Sequence, residues 1–396
     1  MLFKIFIIFS LCVSLCVCAV EYSDRGRNFS LELIYFTGQE NQNHFVVSPF
    51  SVWTLLTGLA YGTIGDTYRE LRFALILPLK MSRTAEQYPE FMKAVFDIPK
   101  PEISVSTNSY IFYDNVVPVE RDFMGRLERD FKTVVNQISP DNWTATDVIV
   151  NDIKKSHTHA VNVINLSNLQ GAVTMRAINF ISFEGLWGVP FDKRDTAVNN
   201  FYNDQGELIG EVNMMHQKGP FQFTDIKELE AVLIDLPFAN NDKYSMLVIL
   251  PYDKRNTTAV YRKFLTYSIP DIYKSLKDDL EAYGEEVVDL KIPRFRITDE
   301  IKMEKPLNSM GVYSLFEKSD FHRAVRLPVQ ISGFTQSVNI EITESGSVLG
   351  ATKPKVQPIR SLISNIVVDR PFIFFILEKS TLSILIGGIY SKPEKY

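Results

Sequence analysis

Ser337-Val-Asn-Ile-Glu-Ile-Thr343 and Arg370-Pro-Phe-Ile-Phe-Phe-Ile-Leu377 bracket Glu344-Ser-Gly-Ser-Val-Leu-Gly-Ala-Thr352 and Lys353-Pro-Lys-Val-Gln-Pro-Ile-Arg-Ser-Leu-Ile-Ser364. The first segment alternates polar and apolar residues and is rich in β-branched side chains, which predicts a strand with one buried face. The last is a near-continuous apolar run, the pattern of a strand covered on both faces. The material between them is small and flexible in its first half, extended and prolyl in its second. On composition alone it reads as a long surface connection.

Glu344, Gly346, Ser347, Gly350, Ala351 and Thr352 nevertheless resemble, position by position, the hinge of the serpin reactive-centre loop. Counted from the hinge glycine, the resemblance places the scissile bond between Arg360 and Ser361, and Asp369-Arg-Pro-Phe372 begins the return strand at the family's distance beyond it. The implied fold is α+β: a large, mostly antiparallel central sheet, two smaller sheets, about eight or nine helices and an exposed reactive-centre loop at about 344–368.

At the N-terminus, Lys4 precedes an apolar run from Ile5 to Val20, with Val17 and Ala19 small enough for signal-peptidase cleavage. Residues 1–19 are therefore expected to be a secretory signal; the run is shorter than the ~20 residues of a membrane span and no stop-transfer charges follow. All three cysteines, Cys12, Cys16 and Cys18, fall inside it, so the mature chain has neither disulfide nor thiol. At 45% hydrophobic and 12% aromatic it has ample material for a core. Without a linker, repeat or like-charge block, residues 20–396 are expected to form one domain and a monomer. A net charge of −5 implies no general attraction to nucleic acid or anionic membrane.

Further along the chain, Phe29–Phe36 reads as a short buried helix, and Ser48-Pro-Phe-Ser51 as a helix entry with a hydroxyl cap and a proline in the first turn. Val119–Val135 carries Phe123, Leu127 and Phe131 four residues apart, an amphipathic helix whose other face mixes Arg121, Arg126, Arg129 and Lys132 with Glu128 and Asp130. Ala231–Phe238, Tyr244–Pro251, Leu290–Arg296 and Ile384–Tyr390 read as strands. The serpin resemblance extends over the whole mature chain. It implies that Ser48, Ser51 and Asn179 belong to a shutter beneath the main sheet and that Trp187 in Gly185-Leu-Trp-Gly-Val-Pro-Phe191 belongs to the breach above it. Two departures stand out: Gln336 occupies the place of the family's shutter histidine, and Leu349 stands where a small hinge residue is usual.

The enzyme alternatives fail on residues. No histidine lies near a Gly-x-Ser-x-Gly elbow, no cysteine nucleophile survives in the mature chain, and there is no His-Glu-x-x-His or phosphate loop. His157 and His159 are two apart and would diverge on a helix, so no metal is expected, nor any cofactor. The resemblance implies a secreted suicide inhibitor of trypsin-like serine proteases, with Arg360 as bait. The competing implication is a non-inhibitory serpin, a carrier or signalling scaffold whose loop is only cut; an adhesion or storage protein is a third class. Sequons at Asn28, Asn142, Asn165 and Asn256 make a glycoprotein the expected product.

Overall fold

The computed structural model describes residues 23–79, 81–96, 103–138, 143–156, 173–238, 243–284, 287–346 and 363–395. Residues 1–19, Asn142, Asn165, the histidine pair, Ser347, Gly350, Ala351, Thr352 and the bond Arg360–Ser361 lie outside them. The helices are α1 (23–40), α2 (Pro49–Ala60), α3 (Gly65–Ala74), α4 (Met81–Phe96), α5 (Arg121–Phe131), α6 (Trp143–Ser156), α7 (Thr257–Phe264), α8 (Ile269–Tyr283), α9 (Glu304–Ser309) and α10 (Ser314–Glu317). The last two, of 6 and 4 residues, bring the described helices above the eight or nine expected. The strands are β1 (Phe45–Val47), β2 (Ile103–Asp114), β3 (Thr133–Ile138), β4 (Thr174–Gly185), β5 (Ala197–Tyr202), β6 (Leu208–Gly219), β7 (Gln222–Ile226), β8 (Ala231–Pro237), β9 (Tyr244–Pro251), β10 (Val287–Pro293), β11 (Phe295–Lys302), β12 (Gln330–Ile342), β13 (Ile363–Val367), β14 (Phe372–Glu378) and β15 (Ser383–Tyr390).

Three sheets result. A six-stranded one, β1-β15-β14-β9-β8-β7, is antiparallel throughout. Its strands β9, β14 and β15 are buried at every position, which explains their uninterrupted apolar sequences. A five-stranded sheet runs β11-β12-β4-β2-β3, and a four-stranded one β13-β10-β6-β5. One hydrophobic cluster joins all three sheets and takes in α2, whose twelve residues are all buried. Proline at its first turn and Ser48 Oγ accepting from Ser51 N (3.4 Å) start that helix between sheets where water has no access. The far face of the five-stranded sheet is covered by α6, with Ile153 against Phe112, Ile138, Ile178 and Phe180. Among the described residues no helix is long and apolar enough to cross a membrane.

Four elements differ from their sequence reading. The first helix runs 23–40 and extends well beyond Phe29–Phe36 at both ends. The helix after Val119 stops at Phe131, because Lys132 takes a left-handed conformation (φ 52°) and the chain turns into β3; its cations meet acids, Asp130 lying 2.9 Å from Arg129 and 3.6 Å from Arg126. Leu290–Arg296 is two strands, since β10 and β11 belong to different sheets and part at Arg294. Ile363–Val367, counted with the loop, is instead a strand, paired in parallel with β10 from Val287 to Lys291.

The C-terminal strand is tethered by His44, whose Nδ1 accepts from Ser391 N (3.1 Å) and Lys392 N (3.2 Å). Burial, aided by the nearby Lys392 ammonium, pushes this imidazole down to about 4. Because the unfolded ring titrates near its ordinary 6.5, the contribution is complete above that pH and is lost as pH falls towards about 4. A shift of that size corresponds to at most about 3 kcal/mol, and partial solvent access reduces the expected loss to about 1 kcal/mol. Urea midpoints at pH 7 and 4.5 should therefore differ less in His44→Gln than in the parent; equal differences would refute the assignment.

Candidate functional site

The five-stranded sheet is divided down its middle by a parallel pair. Gln330–Asn339 of β12 run alongside Thr174–Ser182 of β4, whereas β12 is antiparallel to β11 and β4 to β2. The ladder ends at Asn339 and Ser182, although β12 continues to Ile342 and β4 to Gly185. Beyond Ile342 the chain reverses at once: Thr343 N donates to Gly346 O (2.9 Å) and Gly346 N to Thr343 O (3.0 Å). Gly346 has φ +108°, and a Cβ there would lie 2.2 Å from Gly185 O, so both conformation and space demand glycine.

This reversal is fastened to β4 and the segment after it. Trp187 Nε1 donates to Thr343 O (2.8 Å), and Trp187 N to Ser345 O (3.0 Å). Phe191 N donates to Glu344 O (2.9 Å). The indole stacks on Phe238 at 4.5 Å and 7°, with Phe191 edge-on at 6.2 Å. Glu344 is 3% exposed; its Oε1 accepts from Thr196 Oγ1 (2.8 Å), and Oε2 lies 3.9 Å from Arg294 Nη1. A buried carboxylate held this way fixes the start of the chain segment that follows.

Midway down the split, the fully buried Gln336 and Asn179 meet. Gln336 Nε2 faces Asn179 Oδ1 (2.8 Å), Ser51 Oγ (2.9 Å) and Ser48 O (3.0 Å), and its Oε1 accepts from Ser48 N (2.7 Å). Ser51 Oγ donates to Asn179 Oδ1 (2.6 Å), Asn179 Nδ2 to Ser109 Oγ (2.9 Å), and Ser48 Oγ to Leu385 O (2.6 Å). The clasp thus ties β12, β4, β2 and β15 to the entry of α2. None of these groups titrates, so the clasp does not weaken with pH. Gln336→Ala would leave Ser48 N–H without its acceptor in a dry setting and open a cavity; urea unfolding should show a loss of roughly 2–4 kcal/mol. A loss below about 0.5 kcal/mol would mean that the clasp carries no weight.

A family model described as Serpin (serine protease inhibitor) matches residues 24–393. The chain belongs to the serpin family. This is a family of protease inhibitors, not of proteases. Among its serpin relatives, plasminogen activator inhibitor 1 of Sus scrofa is 26% identical, covering 88% of this chain and 86% of its own. Antichymotrypsin-2 of Bombyx mori is 27% identical, covering 87% and 91%. In solved structures, this serpin resembles human thyroxine-binding globulin complexed with thyroxine, with TM-score 0.78, 23% identity and 95% and 100% coverage, a likeness of fold.

Of the residues singled out by sequence, the structure gathers Ser48, Ser51, Asn179 and Gln336 at the clasp, and Trp187, Glu344 and Gly346 at the upper end of the split. Asn28 and Asn256 are both exposed, one on α1, the other capping α7 by accepting at its Oδ1 from Ala259 N (2.9 Å). Sequence reasoning passed over Ser109, Thr196 and Arg294. A lone serine at an inward position of β2 and an arginine just after Pro293 were the available signals; neither says which distant residue it meets.

Proposed function

We propose that this serpin is a secreted suicide inhibitor of trypsin-like serine proteases, with residues 20–396 as the working domain. In this reading Arg360 fills a pocket that carries a buried acid, because a long cation alone satisfies such a group. The protease's serine Oγ attacks the Arg360 carbonyl carbon, the bond to the Ser361 nitrogen breaks, and that amine leaves with a proton. The segment from Glu344 to Thr352 then acts as hinge, and the freed loop enters the sheet before water hydrolyses the ester, the loop insertion for which the family is known.

The observation that carries this reading is the parallel pair β12 and β4 followed directly by a chain reversal. A strand that follows β12 after a reversal runs antiparallel to β12, and hence antiparallel to β4 as well. Entry between them replaces one parallel ladder by two antiparallel ones, which are the stronger kind. The open end above Asn339 and Ser182 is where such a strand would start, with Trp187 at the breach and Gln336, Asn179, Ser48 and Ser51 as the shutter that must re-form around it. Relatives named as inhibitors of plasminogen activator and chymotrypsin support the inhibitory role. Signal cleavage near Ala19 and glycans at the four sequons belong to the same proposal.

Lys353, Pro354 and Pro358 favour the second reading, a carrier or scaffold, since a buried ammonium and two missing donors all oppose insertion. Incubation of the purified protein with trypsin decides between them. An SDS-resistant band at the summed mass less the released residues 361–396 supports the inhibitor; cleaved protein with no such band leaves the carrier.

A further inference from the structure

Where α4, α5 and β2 meet over α2, they leave a cavity of about 650 Å³, in the size range of small-molecule sites. Its lining converges from three sides. Pro89, Met92 and Phe96 recur at i, i+3 and i+7 and so share one face of α4. Val105, Thr107 and Ser109 share one face of β2. That face is the one turned to α2: Ser109 Oγ accepts from Asn179 Nδ2 (2.9 Å), and Asn179 in turn accepts from Ser51 of that helix. Tyr110 and Phe112 of the same strand point the other way, towards α6. The floor lies well below the surface, for Thr54, Ser109 and Phe131 are all buried, Ser109 the most open of them at 4%. The bond from Asn179 uses the Ser109 oxygen and leaves the Ser109 proton without an acceptor among the described residues.

The free charge at the mouth is of one sign. Asp130 is taken by Arg126 and Arg129, which leaves Lys93 and Lys132 without an acid among the described residues. Lys132 holds its place against its backbone preference, since φ 52° is the left-handed region in which helices usually end on glycine. We propose that this cavity binds a small organic anion with a flat apolar body, an aryl carboxylate. Its ring enters between the α4 face and Phe131, its carboxylate stays at the mouth with Lys93 and Lys132, and an ether or hydroxyl oxygen on the ring takes the Ser109 proton. Two surface lysines alone would attract any anion; the buried apolar floor selects one that carries a ring. The proposal does not rest on the inhibitor reading.

Calorimetric titration of the full secreted protein at pH 7 tests this with 6-methoxy-2-naphthylacetate and 6-methoxy-2-naphthylethylamine, which share a ring and differ in charge. The carboxylate should bind one to one and the amine should not. Acetate and inorganic sulfate, which carry charge without a ring, should not displace it. Lys132→Gly removes the cation and relieves the left-handed residue, so the variant should lose at least about fivefold in affinity with no fall in melting temperature. Lys93→Gln, on the exposed side of α4, should lose a similar factor and decides the matter should Lys132→Gly fold poorly. Equal binding of both probes, no binding of the carboxylate, displacement by sulfate at the same concentration, or undiminished affinity in Lys93→Gln would each overturn the proposal.

Discussion

Arg360→Ala should slow trypsin inhibition by roughly 10²–10³-fold, because truncating one partner of a buried, hydrogen-bonded charge pair costs about 2–5 kcal/mol. The loss arises at the encounter, before any loop movement, so it should appear in the association rate. Mass spectrometry of a brief trypsin digest should place the first cut after Arg360. Lys353 is followed by Pro354, which blocks cleavage, and Lys355 lies close to the hinge. Unchanged trypsin inhibition in Arg360→Ala, or faster inhibition of chymotrypsin than of trypsin by the parent, would show that the bait lies elsewhere.

Cleavage of the loop should raise the melting temperature by at least about 10 °C. About ten new ladder bonds at roughly 1 kcal/mol each, less several kcal/mol for Lys353 and the prolines, still leave a net gain. For a chain of this length each kcal/mol moves the midpoint by about 1–2 °C, and burial of apolar surface adds to the bonds. Differential scanning calorimetry of intact and cleaved protein reads the shift. Identical midpoints would mean that no strand had been added, and the carrier reading would take precedence.

The architecture was legible where burial imposes a simple pattern. β8, β9 and β14 are buried on both faces and so advertise themselves as apolar runs, and the end of β12, Val338–Ile342, shows its one covered face as alternation, whereas polar Thr335, Gln336 and Ser337 before it are buried on both faces and hide that in the sequence. Local signals failed where the decision is made by distant partners. Nothing near Lys132 announces a left-handed residue, and only Pro293 hints that the chain changes sheets at Arg294. β13 hid in the loop because its five residues acquire their pairing from β10, more than seventy positions earlier. The same holds at the site: a cap at Ser48 can be read from Ser-Pro-x-Ser, but its bonds to Gln336 span 288 residues and were reachable only through the family resemblance.

The small bridge between Thr343 and Gly346 also works as a ruler. In a hairpin extended from it, each step back along β12 is matched by one step forward after Gly346, so the seven steps from Thr343 to Gln336 lead from Gly346 to Lys353. Opposed residues of an antiparallel pair point to the same face, and Gln336 points into the core. An incoming loop would therefore fill the open rungs above Asn339 with Ser347 and Leu349 facing inward, then part the ladder to place Ala351 and deliver its first ammonium to the very amide that clasps the sheet. The natural halting place is halfway, with the upper part of the gap filled and the lower part still closed. If the proposed inhibitor mechanism operates, time spent there would be time for water to reach the ester, and Lys353 would shift encounters from capture towards release.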